Sequence, residues 1–301
     1  MIRAEVGFTV EDLTATAIRE FLRVVQPILA SQDDLAAVGT RWELDLRKSQ
    51  YLGPTAATVI ASMKLMGERK SQVSSVLLPN APPALAAFCS FSGLRQVAET
   101  GMISAVANTD HPKNETAPLQ QFQRMNWGGS RSLIHLVKRH FPTMDSESEE
   151  LIGICYSEIA QNIEDHAESP MGGVMCAKFF AKSREVRIAV VDRGIGIANK
   201  LRLSPPTTGE RVTSDEHALR LVLGGNVSSK SRPNNQGQGI SNLALIARGN
   251  RGQLVVASNG AMAIATHDKP HRFEAIPGGF PGTAVLLSLT VATKNQSEDH
   301  E

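Results

Sequence analysis

Glu158–Ala167 reads EIAQNIEDHA. The run before it carries apolar residues at Leu151, Ile152, Cys155 and Ile159, a helical period, so the stretch is expected to end an α-helix. Ser146 and Glu149 have capping-box spacing, which puts the helix start near Asp145–Ser146 and its end near Ala167. Glu158 and Asn162 are four residues apart, with Asp165 and His166 a further turn on. Those offsets share one polar helix face. Two strand-like runs follow, Val174–Ala181 and Glu185–Asp192, in which Val186, Ile188, Val190 and Asp192 alternate onto one side.

Three more features lie downstream. Asp192 ends its apolar strand and runs into Gly194 and Gly196 (VVDRGIGI), which places a carboxylate beside a glycine turn that lets backbone approach a flat ligand. In NNQGQGISNL, Gly237 and Gly239 open an apolar helical run, and unpaired N–H groups at such a helix start suit phosphate oxygens. Lys230 and Arg232 stand just upstream, placed to close over them. Pro281–Gly282–Thr283 leads into a last strand, Thr283–Val291, and Leu254–Ala265 reads as a hairpin turning at Asn259–Gly260. Taken singly, each feature is equally a solvated helix face, a tight turn or a loop before a helix.

Their order and spacing resemble the GHKL ATPase family over about residues 118–291, and EIAQNIEDHA is most similar to its anti-sigma-factor serine kinase branch. The resemblance implies ATP and Mg²⁺ as cofactors. It implies that Asn162 offers its amide oxygen to Mg²⁺. Asp192 would accept from the adenine amino group with help from Thr283, and Gly194 and Gly196 would flank the base. Gly237 and Gly239, with Lys230, would line the phosphates, and Glu158 would orient or deprotonate the attacking hydroxyl of a protein Ser/Thr or of water. His166 either tunes Glu158 or caps the helix. The interval from Asp192 to Gly237 leaves room for a mobile lid. No phosphoacceptor His-Glu box and no transducer domain accompany these motifs, which points away from the sensor-kinase and transducer-bearing branches.

The first third alternates helix and strand patterns. Val10–Ala30 is helical in period with Pro27 expected to end or kink it, Trp42–Leu46 alternates like a strand, Pro54–Met66 is helical, Ser75–Leu78 is a short strand, and Pro83–Gly93 is a helix closed by glycine. This region resembles a STAS (anti-sigma antagonist) domain in which Pro54 occupies the phosphoserine position. Thr55 is then either a substitute hydroxyl or part of a purely structural module. The expected architecture is α/β (α+β): a STAS-like α/β layer domain over 1–107, a linker at 108–117, a GHKL-type α/β sandwich over 118–292 and a polar tail at 293–301.

The chain has 301 residues, 42% hydrophobic, with 31 Lys+Arg against 30 Asp+Glu, a net charge of +1. That balance excludes a nucleic-acid coat or polybasic membrane binder, and 5% aromatic residues are too few for a base-stacking platform. Cys89, Cys155 and Cys176 are an odd, dispersed set, read as reduced buried thiols. The first residues carry early acids and no apolar core, so a cytoplasmic protein is expected. The combined reading is an ATP-binding regulatory protein, a serine/threonine kinase or ATPase acting on a STAS-type or sigma-factor partner, with a homodimer as one arrangement. The rival is a nucleotide-gated interaction module without turnover.

Overall fold

Strand alternation sets out the first sheet in the computed structural model, which describes residues 1–7, 15–33, 39–103, 115–124, 127–206, 209–225 and 239–292. Strands β1 (Ile2–Glu5), β2 (Arg41–Asp45) and β3 (Val73–Leu77) pair in parallel in that order, with Ala4 opposite Leu44 and Leu44 opposite Val76. Ala4, Trp42 and Leu44 are buried on one face. The other face carries Arg3, Glu43 and Asp45, and Arg3 pairs with Glu43 at 2.9 Å. A charged face is unusual on a parallel sheet, whose two faces are as a rule both apolar.

The connections are helices α1 (Ala15–Asp33) and α2 (Pro54–Arg69). On α1, Ile18, Phe21, Leu22, Val25, Ile28 and Leu29 form the buried stripe. The helix neither ends nor breaks at Pro27: the proline is exposed, so the hydrogen bond it forgoes lies on the side open to water. Helix α2 is buried nearly all round, and its hydroxyls turn back on the helix, Thr58 onto the Pro54 and Thr55 carbonyls and Ser62 onto that of Val59. Short helices α3 (Pro83–Phe91) and α4 (Leu94–Thr100) follow, and α4 is an element that the sequence pattern did not reveal.

The second sheet has five antiparallel strands. Strands β4 (Thr116–Phe122), β5 (Gly173–Phe180), β6 (Glu185–Asp192), β7 (Gln253–Thr266) and β8 (Lys269–Thr290) lie in the order β4-β5-β6-β8-β7. Thr116 and Ala117 belong to β4, so the expected linker is too long at that end, and residues 108–114 lie outside the described set. Asn259–Gly260 is not a hairpin turn. Strand β7 runs straight through it, and the turn is two residues, His267–Asp268, with Thr266 opposite Lys269. Asn259 takes a positive φ of 50° as a bulge, because β8 carries extra residues there: Ala261 pairs with Ala275 but Asn259 with Phe280.

Both faces of this sheet are buried. Val174, Cys176, Ala189, Val191 and Leu286 face the layer formed by α1 and α2, and Met175, Ala177, Ile188, Val190 and Leu287 face the opposite helices. Those are α5 (Trp127–His140), α6 (Ser146–Asn162), α8 (Asp215–Leu223) and α9 (Gly239–Gly249), with α7 (Ile197–Leu203) beside α8. Helix α6 starts where expected, but its cap is the Asp145 carboxylate, which accepts the Ser148 N–H at 2.8 Å. The chain is therefore a mixed α/β (α+β) fold with four layers: parallel sheet, helices, antiparallel sheet, helices. Among the described residues no helix is long and apolar enough to cross a membrane.

Helices α1 and α2 serve both sheets, so the two sheets should unfold together. Phe21→Ala, at a fully buried position of the shared layer, is expected to cost about 3–5 kcal/mol while calorimetry still shows one transition. A variant that melts in two separated steps would show the layer is not shared energetically.

Candidate functional site

A cleft enclosing roughly 930 Å³, part of it open to solvent, lies between the helices and the β6–β8 pair. Its walls are mostly apolar: Val190 and Val285 from the sheet, Ile159 and Ile163 from the α6 side, Leu201 and Leu243 opposite. Asn162, His166, Asp192, Lys200, Ser204 and Thr283 bring the polar atoms. Five of the sequence candidates (Asn162, Asp192, Gly196, Gly239 and Thr283) therefore line one cavity.

Asp192 is the end of β6 and Thr283 is its register partner on β8. The Asp192 carboxylate is 3% exposed, accepts the Gly194 N–H at 2.8 Å and is hydrogen-bonded by Thr283. Burial pushes its pKa up to about 7, against the pull of those bonds and of the Arg193 charge. Gly282 permits the pairing: at φ +100°, a Cβ there would fall 2.3 Å from the Asp192 carbonyl oxygen.

The glycine turn is fastened from both sides. After Asn162, α6 widens into a π-helical turn, Ile163–Ala167, a distortion frequent at functional sites. The Ala167 carbonyl accepts the Ile195 N–H at 2.9 Å, and a Cβ on Gly194 would sit 1.8 Å from that oxygen. Gly194 thus packs behind the carboxylate, against the π-helical turn. Gly196, at φ +75°, caps α7, whose first N–H groups are taken by Ser258 Oγ and Asn259 Oδ1 at 2.9 and 3.1 Å. The Asn-Gly pair that reads as a hairpin is a helix clamp instead.

Glu158 stands one turn before Asn162. A Cβ on Gly239 would meet Asn162 Nδ2 at 2.8 Å and Glu158 Oε2 at 2.9 Å, so both side chains abut the first residue of α9. Burial raises the Glu158 carboxyl and a hydrogen bond with Asn242 opposes the rise. Lys230, Arg232 and Gly237 lie outside the described residues. Thr55, the hydroxyl beside Pro54, is buried in α2 at 4% exposure, where an enzyme acting on side chains has no access.

Several site residues escaped the sequence reading. Lys200 lines the cleft and pairs with Glu168 at 2.8 Å, tying α7 to the residue after the π-helical turn. Arg193 is buried behind Asp192. Their one signal was adjacency to the glycine turn. No family model matches the sequence, and no curated protein matches it either.

Asp192 holds its proton more tightly in the folded chain than the usual carboxylate value of 3.8. Its contribution to stability is complete below about pH 4 and is lost as pH rises to about 7. Asp192→Asn should therefore melt higher than the parent at pH 8, by about 2–4 °C per kcal/mol, with the gap closing toward pH 4. A gap of the opposite sign at pH 8 would contradict the buried, proton-retaining carboxyl. Gly194→Ala should lower the melting temperature at all pH values, through the clash with the Ala167 carbonyl.

Proposed function

We propose that this chain is an ATP-binding regulatory protein of the GHKL type, similar to the anti-sigma-factor serine kinases, and that it uses Mg-ATP in this cleft to phosphorylate or grip a partner protein. The observation that carries the reading is convergence. Asn162, Asp192, Gly239 and Thr283 come from four elements spread over more than a hundred positions and meet around one apolar-walled cleft, and Glu158 abuts Gly239 at its edge. The donor set fits the expected ligand. A flat base suits the apolar walls, the ionised Asp192 carboxylate accepts from an exocyclic amino group, and Thr283 braces that carboxylate. Glycine at position 239 leaves the start of α9 open beside Asn162.

Among the described residues no group of three or more His, Cys, Asp or Glu could hold a metal. The Asn162 amide oxygen, together with the oxygens of the ligand itself, is the donor set left for Mg²⁺, whose role when bound is to neutralise phosphate charge. Glu158 would orient or deprotonate the attacking hydroxyl. Burial raises its carboxyl above the usual carboxylate range, which makes it a stronger base than an exposed glutamate. In this reading the N-terminal half is a STAS-like module built into the same body, and the location is cytoplasmic.

The Glu158–Asn242 bond favours a second reading. There it fastens α6 to α9, and the chain is a nucleotide-gated interaction module without turnover. Calorimetry with Mg-ADP should give binding that Asp192→Asn weakens at least about tenfold, the worth of one good polar contact; no binding heat, or indifference to that substitution, overturns nucleotide recognition. Single-turnover reactions with γ-labelled ATP then separate the two readings. Label transferred to protein or water and lost in Glu158→Ala marks the enzyme, whereas tight binding with no label released marks the module.

A further inference from the structure

Among the described residues, Lys200 is the one side chain of fixed positive charge that lines the cleft. It stands one turn into α7, whose first N–H groups are held by Ser258 and Asn259, so its backbone is fixed relative to the sheet. Its Nζ donates to Glu168 Oε1 at 2.8 Å. Glu168 directly follows the π-helical turn and takes a left-handed backbone, φ 54° and ψ 32°. Glycine is the usual residue in that conformation at a helix end, and a glutamate there is uncommon. The turn gives no reason for an acid at this position; the contact with Lys200 does.

As a brace that contact is weak. The Glu168 side chain is 57% exposed and that of Lys200 26%, and an ion pair so open to water adds little to stability. What it does is hold an ammonium at the cleft wall with a counter-ion that exchanges easily. An anionic group entering the cleft competes with Glu168 for the same N–H donors, and a phosphate oxygen accepts such a charge-assisted bond as readily as a carboxylate. The cleft is divided accordingly. Asp192 is buried at its floor, whereas Lys200 and the exposed Ser204, one turn further along α7, lie toward solvent. We propose that Lys200 binds the anionic, phosphate-bearing end of the cleft's ligand, and that Glu168 is its resting counter-ion, displaced as the ligand enters. The role rests on the nucleotide reading, in which the base lies against Asp192 and the phosphates reach toward the mouth. It adds a cation from α7, an element that supplies none of the phosphate contacts expected from the sequence.

Calorimetry on the full chain, with Mg-ADP and with adenosine, tests the role. Lys200→Met should weaken Mg-ADP about tenfold, the worth of one charge-assisted bond, and leave adenosine within about twofold of the parent. Lys200→Arg should keep most of the Mg-ADP affinity. Glu168→Gln should tighten Mg-ADP about threefold, because the counter-ion no longer competes for Lys200 or repels the phosphates. Effects of opposite sign from the two sides of one ion pair are a readout that a structural brace does not give. Glu168 is exposed, so its variant decides the matter even if Lys200→Met does not fold. Three results make the pair a brace and overturn the role of Lys200 while nucleotide recognition stands: Glu168→Gln weakens Mg-ADP, Lys200→Met leaves Mg-ADP unchanged, or a folded Lys200→Met loses adenosine as much as Mg-ADP. A parent chain that binds neither ligand overturns both.

Discussion

The pairing of Asp192 with Thr283, at the last rung of the β6–β8 ladder, is the contact on which the site depends. It places a carboxylate at the floor of an apolar cleft, where water does not stabilise its charge. Everything nearby compensates for that. Gly194 turns its N–H back onto the carboxylate, Gly282 lets the two backbones approach, and Arg193 supplies a positive charge from behind. The π-helical turn after Asn162 belongs to the same arrangement, because its Ala167 carbonyl pins the glycine turn that carries Gly194. A carboxylate this costly to bury, at the floor of a cleft, marks a candidate functional site.

The second organising feature is the helical layer shared by two sheets. Helices α1 and α2 cover a face of the antiparallel sheet that would otherwise expose Val174, Val191 and Leu286 to water. The same layer brings Gln32 and Asp33 to Arg193, so the N-terminal half touches the site from its rear. The outer face of the three-stranded parallel sheet carries Arg3, Glu43 and Asp45 in ion pairs, in place of the apolar side chains of its inner face. The core is thus continuous across the midline of the chain, while the charged groups sit at its outer face and at the cleft.

Much of the site was legible because its residues sit on regular elements. The four-residue step from Glu158 to Asn162 survives into the structure, since a helix repeats every 3.6 residues and α6 is regular up to Asn162. Asp192 ends β6 as its alternation implies. Asn259–Gly260 misled because its left-handed backbone serves a bulge as readily as a turn, and only the extra residues on β8 decide between them. Helices α7 and α8, which carry Lys200, Leu201 and Val222 to the cleft, went unread because they are short and pack on a small satellite core of Ala198, Leu201, Ala218 and Leu221.

Local chemistry in the sequence determined the helix bearing Glu158 and Asn162, the strand ending in Asp192, the glycine turn after it and the helix opening at Gly239, because periodicity and turn residues act over a few positions. Tertiary structure alone decided that these pieces surround one cleft, that α1 and α2 lie between the two sheets, and that Arg193 faces Asp33 across 160 positions. Those outcomes depend on strand order and on which faces are buried together. Both are set by the summed packing of distant segments, to which no single stretch of sequence is sensitive.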